Sequence, residues 1–122
     1  MIKVTVLSNP PAGADEAAFL RWRTGEQQAA NAAAPGVLRA DFYRVLGTPQ
    51  VGPDRPAGPA PYRFVSESYW RDLASFRAAW DDPAEQDRIV AGVGRIADAL
   101  FLVSEEIRTG DTAAGSAEAP PA

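Results

Sequence analysis

Residues 61–76 read Pro61-Tyr62-Arg63-Phe64-Val65-Ser66-Glu67-Ser68-Tyr69-Trp70-Arg71-Asp72-Leu73-Ala74-Ser75-Phe76, and the side-chain period changes within them. From Tyr62 to Trp70 a period of two fits a strand. Tyr62, Phe64, Ser66, Ser68 and Trp70 share one face, and Arg63, Glu67 and Tyr69 share the other. Asp72 and Ser75 then suit a helix start, and Leu73, Phe76 and Trp80 recur at i, i+3 and i+7. The segment is therefore a strand that feeds a helix.

Downstream, Asp82-Pro83-Ala84-Glu85 is a second helix start: an Asp cap, Pro at the first helical position and Glu at the third. The pattern predicts a helix broken near Asp81 and continuing to about Asp98, with Ile89, Val93 and Ile96 inward. Leu100 to Ile107 reads as a last strand, with Glu105-Glu106 as a solvated edge. Residues 109–122 are small, polar or Pro and are expected to be a disordered tail after a single domain over 1–108. Gly92 and Gly94 suit close packing, since neither a dinucleotide fingerprint nor a phosphate loop surrounds them.

Upstream, residues 48–61 carry Pro at 49, 53, 56, 59 and 61. Such a loop is stiff, and the expectation is that it joins neither sheet nor helix. It is an inert insertion, a lid or an arm on a partner subunit, with stiffness favouring an arm or a rim. Val37 to Leu46 alternates as a strand, with Leu38, Ala40, Phe42, Arg44 and Leu46 on one face and Arg39, Asp41 and Tyr43 on the other. Pro35-Gly36 precedes it. Residues 2–8 alternate and are rich in β-branched side chains, so they form the first strand.

Between Asn9-Pro10-Pro11-Ala12-Gly13 and Pro35, Asp15 caps a helix that runs from Glu16 to about Ala33. Phe19, Trp22, Ala29, Ala30 and Ala33 cluster on one side of it with Glu26 among them, while Arg21, Thr24 and Gln28 lie opposite. A carboxylate on a core-facing stripe must be paired, hydrogen-bonded or protonated, because an isolated buried charge is costly. The alternative is a helix bent at Gly25 that lets Glu26 reach the rim.

The element order is β-α-β-β-α-β. Two βαβ halves with right-handed crossovers give a four-stranded antiparallel sheet with helices on one face, an α+β fold. Lys3, Thr5, Leu7, Val37 and Val45 are expected on the other face, whose apolar members favour cover by a second subunit.

Composition narrows the function. The chain has 122 residues, 46% of them hydrophobic, enough for one domain with a real core. Its formal charge of −4 argues against a nucleic-acid surface. Lys3 is the only lysine beside eleven arginines, a sign of GC-rich coding. With neither Cys nor His, the sequence lacks a thiolate nucleophile, a proximal haem imidazole, a Ser-His-Asp triad and the common zinc ligands. No Asp/Glu run has the spacing of a calcium loop, so neither metal nor cofactor is expected. The N-terminus does not read as a signal peptide, and no apolar run reaches the roughly 20 residues of a membrane span, so a cytoplasmic protein is expected.

Four stretches together resemble the EthD-like proteins of the dimeric α+β barrel superfamily, over about residues 2–107. They are Ile2-Lys3-Val4-Thr5-Val6-Leu7, the aromatics Phe19 and Trp22, Pro35-Gly36-Val37, and Pro61 to Val65 followed by Trp70 to Phe76. The resemblance implies a ferredoxin-like fold, a homodimer through the sheet face and a small-molecule pocket between sheet and helices. Its members include cofactor-free monooxygenases, polyketide cyclases, lactone isomerases, decarboxylases and proteins without established activity. They usually carry a His on the first helix, four residues after an aromatic; Glu26 stands there in this chain.

The expected site follows from the two readings together. Glu26 would move a proton, and Arg44 or Tyr62 would hold the oxyanion, with Arg44 also a possible partner for Glu26. Phe19, Trp22, Phe42, Phe64, Ser66, Phe76 and Trp80 would line the substrate, rings giving contact and hydroxyls orientation. The same aromatics serve equally as core anchors. The expected activity is cofactor-independent cyclisation, isomerisation or related proton transfer on a polyketide-like or aromatic natural-product intermediate. A non-catalytic ligand-binding protein and a cofactor-free monooxygenase of a phenolic substrate are the alternatives.

Overall fold

The computed structural model describes residues 1–110; residues 111–122, most of the expected tail, lie outside the described residues. Four strands, β1 (Ile2–Asn9), β2 (Arg39–Arg44), β3 (Phe64–Trp70) and β4 (Ala97–Glu105), form one antiparallel sheet in the order β2-β3-β1-β4. Helices α1 (Glu16–Trp22) and α2 (Gln28–Ala32) precede β2, and α3 (Leu73–Trp80) and α4 (Pro83–Val93) precede β4. This is the expected ferredoxin-like β-α-β-β-α-β arrangement.

Local chemistry places the boundaries. Asp72 Oδ1 accepts from the Ser75 amide at 2.8 Å, and Asp82 Oδ2 accepts from the Glu85 amide at 3.0 Å. Each cap satisfies an amide that the first helical turn leaves free. Pro83 opens α4, and the break between α3 and α4 falls at Asp81 as expected. Asp15 occupies the N-cap of α1 without a side-chain cap bond.

Register assigns every strand residue to a face. Facing the helices, the cross-strand rows are Arg44–Phe64–Ser8, Phe42–Ser66–Val6–Phe101 and Ala40–Ser68–Val4–Val103. The open face carries Tyr43–Val65–Leu7–Leu100, then Asp41–Glu67–Thr5–Leu102. Ile2, Val4, Ala34, Trp70, Phe76 and Ala79 form the main core under the helices, and the Trp70 indole donates to the Pro35 carbonyl at 2.9 Å.

The boundaries correct several expectations. α4 stops at Val93 instead of about Asp98, with Gly94 as its C-cap, and β4 starts at Ala97. Asp98, the second residue of β4, has a φ of 57° beside a register shift between Leu7 and Asn9, and the Asn9 side-chain Nδ2 donates to Asp98 Oδ2 at 3.1 Å. β3 begins at Phe64, which leaves Tyr62 outside the strand. Val37 packs against the helix-side core and not on the open face.

The Pro-rich loop does form local pairing. Thr48 and Gly58 exchange backbone hydrogen bonds at 2.7 and 3.1 Å, and Val51 pairs with Arg55 around Gly52, whose φ is 68°. Its prolines fall where neither bridge needs their missing N–H, so the segment closes into an exposed narrow hairpin beside the sheet. Val51 stands exposed on it, and Leu46 just before it.

The largest departure lies in the first helix. Between α1 and α2, Arg23–Gln27 form a π-helical turn. The Thr24 hydroxyl donates to the Leu20 carbonyl at 2.6 Å, the oxygen that the α-helical ladder reserves for the Thr24 amide, and Gly25 follows. A π turn inserts one extra residue and rotates everything beyond it. Glu26, expected on the core stripe, is exposed; Arg23 is buried and Gln27 points inward. A Cβ at Gly25 would meet no atom within 4 Å outside its chain neighbours and the local helix backbone, so the glycine serves the turn and not a close packing.

Candidate functional site

On the helix-facing side, β3 presents Phe64, Ser66, Ser68 and Trp70: a large ring at each end and two small hydroxyls between. Rings gather over both ends. Phe64 lies 5.2 Å from Phe42 and 5.5 Å from Phe19, while Trp70 lies 5.4 Å from Phe76 and 6.4 Å from Trp80. The serines cannot fill the gap between these clusters, and a cavity remains above them, bounded by α2, α4 and the π turn. Its volume, counted as space open to the centres of water molecules, is about 90 Å³. One water needs roughly 15 Å³ on that measure.

Val4, Val6, Ile89, Val93 and Ile96 give the cavity an apolar lining, and Trp22, Trp70 and Trp80 all border it. These are the chain's three tryptophans. Arg95 braces the outer wall, its guanidinium 4.4 Å from the Trp22 ring.

The polar groups come from two elements. From the π turn, Arg23 is only 5% exposed. It donates to Ser66 Oγ and to Gln28 Oε1, both at 2.8 Å, and its guanidinium carbon lies 4.0 Å from the centroid of Phe42. Burial lowers its pKa to about 10, so the group remains a cation at neutral pH. Gln28 passes the chain of bonds on to the Ala40 carbonyl at 2.8 Å, which ties the π turn to β2.

From α4, Glu85 is 9% exposed and paired with Arg88 through two hydrogen bonds. Arg88 also donates to Asn31 Oδ1 at 3.2 Å, and Gln27 Nε2 donates to the same oxygen at 2.9 Å. Gly92 admits the Gln27 amide: a Cβ there would meet its nitrogen at 3.1 Å and its oxygen at 3.2 Å. Gln27, Asn31, Arg88 and Glu85 thus form one network along the cavity wall.

The expected residues divide. Trp22, Ser66 and Trp80 line the cavity. Phe19, Phe42, Phe64 and Phe76 stand in the flanking aromatic clusters and shape its ends without bordering it. Three expected catalytic groups do not reach it. Glu26 is turned outward by the π turn. Arg44 lies at the end of β2, paired at 3.4 Å with Glu16, which also binds Arg63, so it has no contact with Glu26. Tyr62 sits before β3, outside the strand whose alternation would have aimed it inward. Sequence periodicity missed Arg23, Gln27, Asn31, Glu85 and Arg88. The available signals were Thr24-Gly25 directly after Trp22-Arg23, and the i, i+4 and i, i+3 spacings of Gln27–Asn31 and Glu85–Arg88.

Among the described residues, no group of three or more His, Cys, Asp or Glu side chains is placed to hold a metal ion. Among them, too, no helix is long and apolar enough to cross a membrane.

A four-stranded antiparallel sheet with helices packed on it is a ferredoxin-like fold, and in that fold this chain is similar to an EthD family protein and to dimeric ferredoxin-like proteins. An EthD family protein from Bacillus halodurans superposes with a TM-score of 0.68 at 19% identity, over 88% of this chain and 99% of that one. A dimeric ferredoxin-like protein of unknown function from Thermobifida fusca gives a TM-score of 0.61 at 16% identity, over 84% and 88%. SnoaB, a cofactor-independent oxygenase from Streptomyces nogalater, gives 0.57 at 17% identity, over 88% and 93%. No protein-family model matches the chain. No curated protein matches it either.

Proposed function

We propose that the cavity is the active site of a cofactor-independent tailoring enzyme. It would carry out cyclisation, isomerisation or a related proton transfer on a polyketide-like or aromatic natural-product intermediate. The observation that carries this reading is a carboxylate, Glu85, and a buried guanidinium, Arg23, bordering one cavity walled by three indoles. Glu85 removes the proton from a carbon beside a carbonyl, and the electron pair moves onto the carbonyl oxygen. Arg23 and the Ser66 hydroxyl hold that oxygen. Protonated Glu85 then returns that proton to another carbon of a conjugated enolate or, where the enolate attacks a second carbonyl of the same molecule to close a ring, to the alkoxide left on that carbonyl's oxygen. Arg88, Asn31 and Gln27 position Glu85.

Benzoylacetone in D₂O tests this reading, because loss of its methylene proton signal in NMR reports proton abstraction directly. The protein is expected to accelerate exchange, and Glu85→Gln to reduce that acceleration by about 10²-fold or more. No acceleration over buffer, or an unaltered Glu85→Gln, would overturn it. The likeness to SnoaB and the indole walls also support a second reading, a monooxygenase of an electron-rich phenol. Oxygen consumption with a polycyclic phenol would separate the two.

The assembly proposed is a homodimer through the open sheet face. That face carries Tyr43, Leu100 and Leu102 at 50%, 41% and 45% exposure beside Leu7 and Val65. A contiguous apolar area on a sheet is normally covered, and the Thermobifida fusca neighbour is described as dimeric.

A further inference from the structure

Arg23 and Arg88 both border the cavity, but they differ in charge balance. Arg88 has the Glu85 carboxylate. Among the described residues, no carboxylate lies within ion-pair distance of Arg23, whose hydrogen-bond partners, the Gln28 amide and the Ser66 hydroxyl, are both neutral. Phe42 covers one face of the guanidinium at 4.0 Å. A buried cation without a counter-charge is costly unless something supplies the anion. The guanidinium has five N–H donors, and the two side-chain bonds leave others for a ligand. Its planar fork matches a delocalised pair of oxygens.

From this we infer that the cavity takes its ligand as an anion: an aromatic acid whose carboxylate sits on Arg23 while its ring lies among Trp22, Trp70 and Trp80. The inference rests on the reading of this cavity as the ligand site. It adds that the ligand brings one negative charge of its own to Arg23 when it binds, beside the charge that arises on the carbonyl oxygen during reaction. Ser66, held by the same guanidinium, supplies a hydroxyl beside the anion. A neutral ring of the same shape leaves Arg23 without its counter-charge and binds weakly for that reason.

Fluorine NMR with para-(trifluoromethyl)benzoate and para-(trifluoromethyl)benzamide tests the charge at constant shape. The benzoate is expected to bind saturably, and the benzamide more weakly by about tenfold or more. Arg23→Met should abolish the preference, whereas Arg23→Lys, which keeps the charge but loses the fork, should retain part of it. Ser66→Ala, which removes one hydroxyl, should weaken the benzoate and not the benzamide. Equal binding of the two probes, or a preference that survives Arg23→Met, would overturn the inference. Benzoylacetone exchange read on the same samples separates the two proposals. Exchange without anion preference sinks only this one, and anion preference without exchange sinks only the catalytic reading.

Discussion

Removing water from the Arg23 guanidinium costs free energy that no carboxylate among the described residues offsets, and burial lowers its pKa to about 10. The direction of the shift sets the pH dependence. The free protein holds the Arg23 proton below pH 10 and loses it as pH rises through that value, well before an ordinary arginine would. The other charged groups bordering the cavity are Glu85 and Arg88 on α4, and they balance each other. Affinity for an aromatic carboxylate is therefore expected to stay level between about pH 7 and 9 and to fall above pH 10, as titration calorimetry would show; a fall beginning near neutrality would contradict this assignment. The same residue trades stability for binding. A buried charge replaced by an apolar side chain of similar size is often neutral or stabilising. Arg23→Met is expected not to lower the melting temperature of the free protein, although it loses the bonds to Ser66 and Gln28. A clear drop in scanning calorimetry would mark Arg23 as a structural tie instead.

The elements show how much of this site could be read from the chain. The strands were legible because alternation and β-branched residues agree with the pleat, and the α3–α4 break because Asp82-Pro83-Ala84-Glu85 is a complete start signal. The π turn was not legible. Helical periodicity assumes a constant rise, and a single inserted residue exchanges which side chains face in. Thus Trp22 lies on the inner face as expected, while Glu26, four residues on, does not, and Gln27 takes its place. Local capping carries measurable weight: Asp82→Ala should cost about 1 kcal/mol in denaturant unfolding, since the Glu85 amide loses its acceptor. Gly92 tests the contact between α4 and the π turn. Alanine favours a helix interior over glycine by about 1 kcal/mol, but its Cβ would press on the Gln27 amide. Gly92→Ala is expected to gain less in the native chain than in a Gln27→Ala background, and equal gains in both would mean that the contact carries no energy.

For the molecule as a whole, the two faces of the sheet have different roles. The helix face encloses the cavity, and its shape was half legible: Phe64, Ser66, Ser68 and Trp70 already spell large, small, small, large. Their polar neighbours come from distant parts of the chain and could not be matched from sequence alone. For the proposed dimer through the open face, sedimentation is expected to report twice the 13.0 kDa of one chain, while a monomer at micromolar concentration would contradict it. The functional reading stands on the cavity, and the three indoles that border it make it directly observable. In nitrogen-edited NMR of the labelled protein, titration with para-(trifluoromethyl)benzoate is expected to move the indole signals of Trp22, Trp70 and Trp80 together, with one saturation curve. Still indole signals, with shifts confined to the amides of residues on the open sheet face, would place the ligand elsewhere and contradict the account.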